Sequence, residues 1–94
     1  MYFITVIKSK DKKVSDKRCV GYYDNYETAA KAVIENWCDI WEYYYDYCII
    51  ENIEEGLYSI RQEQFWFKFN INTRKYEHCD VPDFAKGYIN WALG

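Results

Sequence analysis

The chain is poor in the residues that punctuate loops and build reactive centres. It has one proline, Pro82, and one histidine, His78, among 94 residues. Gly21, Gly56, Gly87 and Gly94 stand singly, so no glycine-rich loop is available to cradle a phosphate. No apolar run approaches the roughly 20 residues that cross a bilayer. The stretch MYFITVIKSK places its apolar residues ahead of its charges, the reverse of a signal peptide, and a cytoplasmic location without membrane contact is expected. Cys19, Cys38, Cys48 and Cys79 form no C-x-x-C pair, and a single imidazole does not complete a zinc set with them. Reduced, buried thiols are expected, with no metal and no cofactor.

What is abundant is aromatic. Half of the residues are hydrophobic and 21% are Phe, Trp or Tyr, which excludes a disordered or low-complexity chain. A chain of this length fits one domain, residues 1–94, and removes roughly 60 to 65% of its extended surface from water on folding.

Charge is unevenly placed. Residues 1–18 hold Lys8, Lys10, Lys12, Lys13, Lys17 and Arg18 against Asp11 and Asp16. Residues 32–60 hold Glu35, Asp39, Glu42, Asp46, Glu51, Glu54 and Glu55 with no Lys or Arg at all. A domain that binds a phosphate backbone needs a basic face, so the acidic middle argues against direct nucleic-acid binding.

Residues 2–8, YFITVIK, are β-branched and aromatic on both alternating faces, the pattern of a strand inside a sheet. SKDKKVSDK reads as a charged loop, and RCVGYY as a short strand pairing back antiparallel. Asp24-Asn25-Tyr26-Glu27 resembles a capping box, and Tyr26, Ala29, Ala30, Val33, Ile34 and Trp37 recur at helical spacing up to a stop at Asn36. Residues 39–42 suit a single helical turn and residues 45–53 a strand; 57–62 are ambiguous. EQFWFKFN and KYEHC form a hairpin, and Pro82 sits in the first turn of a short terminal helix, DFAKGYINWAL. The expected fold is a small two-layer α+β domain: an antiparallel sheet of about four to five strands, with one main helix and a short C-terminal helix on one face. The opposite face would then expose Trp66, Lys68 and several tyrosines.

The inventory for catalysis is thin. Neighbouring strand residues point to opposite faces, so His78 and Cys79 do not make a nucleophile–base pair. Asp39 with Glu42, or Glu51 with Glu54, lack the ordered spacing of a cation loop, and helix starts and solvated turns account for them. A non-enzymatic binding role is expected. In WCDIWEYYYDYCII, residues 37–50, two Trp and four Tyr lie among three carboxylates. Asp39, Trp41, Glu42, Tyr43, Tyr44, Tyr45 and Asp46 are the candidate contacts to a basic protein surface, with rings as anchors and acids as complementary charge. The alternative is an oligomer that sequesters a planar ligand such as a nucleotide signal. It would use Arg18, Trp66, Lys68, Arg74 and Lys75. An apolar face on so small a domain also makes a homodimer plausible, through the open sheet face or Trp91.

Taken whole, MYFITVIK, RCVGYYDNYETAAKAVIEN, DIWEYYYDYCIIENIEEGLY and the final NWALG resemble small uncharacterised single-domain proteins of Gram-positive gut bacteria and their prophages. The resemblance carries no catalytic motif. It implies a phage or mobile-element accessory protein, such as an inhibitor of a host defence protein.

Overall fold

Strands that are apolar on both faces need cover on both faces, and the sheet receives it from two different parts of the chain. The computed structural model describes residues 1–57, 61–88 and 90–93. Five strands, β1 (Tyr2–Lys10), β2 (Lys13–Tyr23), β3 (Tyr47–Ile53), β4 (Arg61–Asn70) and β5 (Lys75–His78), form one antiparallel sheet in the order β2-β1-β3-β4-β5. A single α-helix, α1 (Tyr26–Ile34), lies between β2 and β3 in the chain. The small α+β domain with its antiparallel sheet and one main helix is therefore the fold expected.

On one face, Ile4, Val6, Cys48, Ile50, Phe67 and Tyr76 pack under Ala29, Ala30, Ala32 and Val33 of α1. Asn25 caps that helix, its side chain accepting from the Thr28 N–H at 2.8 Å, rather than Asp24. Asn36 ends it in the left-handed conformation, φ 54°, which Asn tolerates better than most residues. The charged stretch 9–17 is not a loop. It extends β1 and β2 into a long hairpin whose two central residues, Asp11 and Lys12, both have positive φ. That turn matches the strand twist, and the projecting ladder satisfies its own backbone while its lysines stay in water. The hairpin of β4 and β5 forms as expected, with Arg74 at φ 58° in its turn.

The second face departs from expectation. It is covered by the described residues of 80–88 and 90–93, which make a 3-10 turn at Asp83–Ala85 rather than a helix and lie opposite α1. Ile7, Ile49, Trp66, Ala85 and Trp91 form the core there. Trp66 is only 2% exposed, and Trp91, proposed above as a dimer contact, is equally buried. The Trp91 ring stacks on Tyr88 at 4.0 Å and meets Trp66 edge-on at 5.5 Å. Residues 58–60 of the ambiguous stretch, and Ile89 within the expected terminal helix, lie outside the described residues.

A second correction explains the first. Glu51, read above as a solvated acid, is fully buried on the second face of the central strand β3. Its carboxylate accepts the Trp91 N–H at 2.8 and 2.9 Å and the Ala92 N–H at 2.9 Å. A helix through residue 92 would commit those N–H groups to carbonyls one turn back, leaving the carboxylate without them. Gly87, at φ 93°, turns the chain so that it can comply. Lys17 closes the seam: its Nζ donates to the Trp91 carbonyl at 3.4 Å and lies 5.8 Å from the indole centroid.

Replacing Glu51 by Leu removes this acceptor, and orphaned buried donors of this kind cost about 1 to 3 kcal/mol each. We expect Glu51→Leu to lose about 2 to 4 kcal/mol in urea unfolding and to become protease-sensitive within residues 80–93, with Glu51→Gln intermediate. An unchanged midpoint and digestion pattern would refute the assignment.

Candidate aromatic interface at one end of the sheet

The chain between α1 and β3 doubles back on itself. Asn36, Cys38, Asp39 and Tyr44 all have positive φ although none is glycine. The Asn36 side chain pins the reversal, its Oδ1 accepting the Trp41 N–H at 3.1 Å and its Nδ2 donating to Asp39 at 3.2 Å. Backbone bonds from Glu42 N–H to the Asp39 carbonyl and from Tyr44 N–H to the Trp41 carbonyl continue the turn. Asp46 then fastens the loop to β1, accepting the Ser9 N–H at 2.8 Å and the Ser9 hydroxyl.

The loop closes over the open end of the helix-side core, and the sequence-predicted contacts take three different positions. Tyr43 and Tyr44 stand out in solvent, 60% and 66% exposed, with Asp39 and Glu42 also exposed. Trp41 is half-buried: one side stacks on Phe69 at 4.4 Å with the rings 9° apart, and Tyr44 meets it edge-on at 5.1 Å. Tyr45 is sealed, 4% exposed, so it is a core residue and not an anchor. Its carbonyl accepts the Tyr76 hydroxyl at 2.7 Å, a hydrogen bond buried beneath the loop. Asp46 is engaged with Ser9 and is a fastener rather than free complementary charge.

Folding also brings bases that local sequence gives no sign of. The Arg74 guanidinium lies 5.1 Å from the Trp41 ring centroid, and Lys8 Nζ lies 5.8 Å from that of Tyr44. Both are within cation–π range, so each of these rings already carries a cation. Asp39 and Glu42 make no ion pair among the described residues.

The alternative ligand set is not gathered. Arg18 lies on the helix-side face of β2, level with Val6. Lys68 lies on the second face, its Nζ 5.8 Å from the Tyr47 ring. Arg74 lies in the turn between β4 and β5 and Lys75 begins β5, and Trp66 is buried with its Nε1 donating to Gln64 at 3.1 Å. The His78 ring packs on Phe67 at 4.3 Å, on the helix side, while Cys79 packs with the second-face core. Among the described residues no group of three or more His, Cys, Asp or Glu is placed to hold a metal ion, and no helix is long and apolar enough to cross a membrane. No protein-family model, curated protein or solved structure matches this chain.

Burial raises the pKa of the Tyr76 phenol, and Cys48, Asp46 and Asp39 nearby push it the same way. Tyr45 is raised too, first by burial and then by Asp16; burial also lifts the Cys48 thiol. Each group keeps its proton in the folded chain at a pH where the unfolded chain has lost it, so their contribution is complete below the unfolded pKa and falls away above it. For the phenols that loss begins near pH ~10 and for the thiol near ~8.5. The urea midpoint should hold steady from about pH 6 to 8 and decline beyond about pH 9. Tyr76→Phe should lose about 1 kcal/mol at neutral pH and show a shallower alkaline decline; an identical pH profile would exclude Tyr76 as a source of it.

Proposed function

We propose that this protein is a non-enzymatic binding protein whose loop 39–44 docks on a basic groove of another protein, in the manner of a phage or mobile-element inhibitor of a host defence protein. The observation that carries this reading is the concentration of left-handed residues at Asn36, Cys38, Asp39 and Tyr44 in the one loop that holds Tyr43 and Tyr44 in water. Such conformations cost of order 1 kcal/mol or more each and persist where the surrounding structure over-determines them, commonly at binding surfaces. Tyrosines offer large contact area with little rotamer freedom to lose, and the exposed Asp39 and Glu42 beside them, which make no ion pair among the described residues, favour cationic partners. The four free thiols suit a reducing compartment such as the cytoplasm.

Nucleotide sequestration has less support. Its ring, Trp66, is buried, and its bases are dispersed over both faces of the sheet.

The test is binding, by calorimetry, of a Lys/Arg-rich peptide and of a single-stranded oligonucleotide of equal length. The peptide should bind, and more weakly as salt rises. The double variant Tyr43→Ala/Tyr44→Ala should weaken it about tenfold or more, and Asp39→Lys/Glu42→Lys should nearly abolish it. Unchanged affinity in both variants, or a preference for the oligonucleotide, would remove the proposal.

A further inference from the structure

Behind the exposed loop lies a second feature that the sequence reading did not single out. Just beyond α1 and Asn36, the turn Trp37–Asp39 and β2 border a groove of about 260 Å³. Its floor is Ile4, Ala32 and Ile40, and its walls are Tyr23 and Trp37. Those two rings meet nearly at right angles, 77°, with centroids 6.4 Å apart. Trp37 is itself 36% exposed, so the corner opens to solvent. Gly21 lines the groove, and a Cβ built there meets nothing within 4 Å, so a side chain at this position would enter open space. Gly21 carries no positive φ, so nothing in its backbone requires glycine.

The groove is lined mainly by apolar and aromatic residues, and one carboxylate is tied to its indole wall. Glu35 accepts the Trp37 Nε1 hydrogen at 3.1 Å, which holds its carboxylate beside the ring, and Asp39 is exposed one turn on. The C-terminal end of α1 adds the partial negative charge of its last carbonyls. Lys31, in the last turn of that helix, is exposed to solvent, and Arg18, further along β2, lies with Asp16 near the Tyr45 hydroxyl. The volume is below the roughly 300 to 1,000 Å³ of sites that hold whole small molecules, so it suits a single side chain.

An apolar slot with two aromatic walls and the Glu35 carboxylate beside one of them matches a planar cation on an aliphatic stem. We infer that the groove between Tyr23 and Trp37 is a pocket for one arginine side chain of the basic partner, its stem along Ile4 and Ile40 and its guanidinium over the rings and toward Glu35. Arginine fits better than lysine because its guanidinium is flat, weakly hydrated and able to stack on an indole while donating to a carboxylate. The inference rests on the docking reading above for the origin of the arginine, and it deepens that reading by naming one contact.

Nα-acetyl-arginine amide, titrated into the protein in the millimolar range, tests the pocket apart from the loop. Trp37 indole and Tyr23 ring NMR signals should shift and saturate, whereas the lysine and norleucine amides should shift them about three- to tenfold more weakly. Gly21→Val, which puts a branched, strand-favouring side chain into the groove, should weaken the shift strongly, and Gly21→Ala less so. Glu35→Gln leaves the groove open and should weaken arginine selectively; this variant serves if the valine variant does not fold. The double variant Tyr43→Ala/Tyr44→Ala should leave the arginine response intact. Signals unmoved by arginine amide in the native protein, or moved equally by norleucine amide, would overturn the pocket while leaving the docking loop to be judged by its own peptide binding. Arginine shifts that persist undiminished in both Gly21→Val and Glu35→Gln would overturn it as well.

Discussion

A carboxylate sealed inside a small domain dictates much of what surrounds it. Glu51 stands on the central strand with no exposed surface, and a buried charge is tolerable only where hydrogen-bond donors converge on it. The N–H groups of Trp91 and Ala92 converge there from the other end of the chain. Because those donors are backbone groups, the terminal segment has to arrive unwound. Because one of them belongs to Trp91, the same contact delivers an indole against Trp66 and Phe84. One acid thereby decides the conformation of a segment and the closure of a whole sheet face.

With much of both faces covered, the exposed rings of Trp37, Tyr43 and Tyr44 gather where the sheet runs out, while Tyr22 stays open on the edge strand β2. At the end carrying the start of β3, the Asp46 bond to Ser9 and the Tyr76 bond to the Tyr45 carbonyl hold a loop across the core. The loop does two jobs with adjacent residues: Tyr45 and half of Trp41 fill the core, so that Tyr43 and Tyr44 can be carried outside it. A run of tyrosines is thus divided by depth. The bases that reach this end, Arg74 and Lys8, cover ring faces and leave Asp39 and Glu42 without an ion partner among the described residues. Locally acidic sequence becomes a mixed surface whose acids remain available.

What could be read from the sequence was local or periodic. The double-faced apolarity of YFITVIK announced an internal strand, the alternation of EQFWFKFN its hairpin, and Asn36 the end of the helix. The run of charge in 9–17 was misleading because solvated side chains say little about whether their backbone pairs. Trp66 and Glu51 were misplaced for one reason: which side of a sheet is covered depends on a segment some 25 to 40 residues further along, and alternation alone is symmetric between the two faces. The candidate site was half legible. Clustered rings and acids pointed to the loop, but burial of Tyr45, the cation over Trp41 and the groove beside Trp37 arise from contacts across the fold, for which a single chain offers no periodic signal.

The exposed tyrosines and the groove lie on either side of the same strained reversal, and this shared origin bears on how binding could be efficient in a chain this small. Association loses translational, rotational and side-chain freedom, and each contact must exceed that loss before it contributes. A loop already held in left-handed conformations by the Asn36 side chain, the Trp41 stack and the Asp46 fastening has little freedom left to lose. Its left-handed residues draw their stability from the folded core, where the cost is shared with the rest of the domain. The price of order is met at folding rather than at the encounter, so a few rings and two acids can act as a preformed surface where a flexible tyrosine-rich segment of the same composition could not.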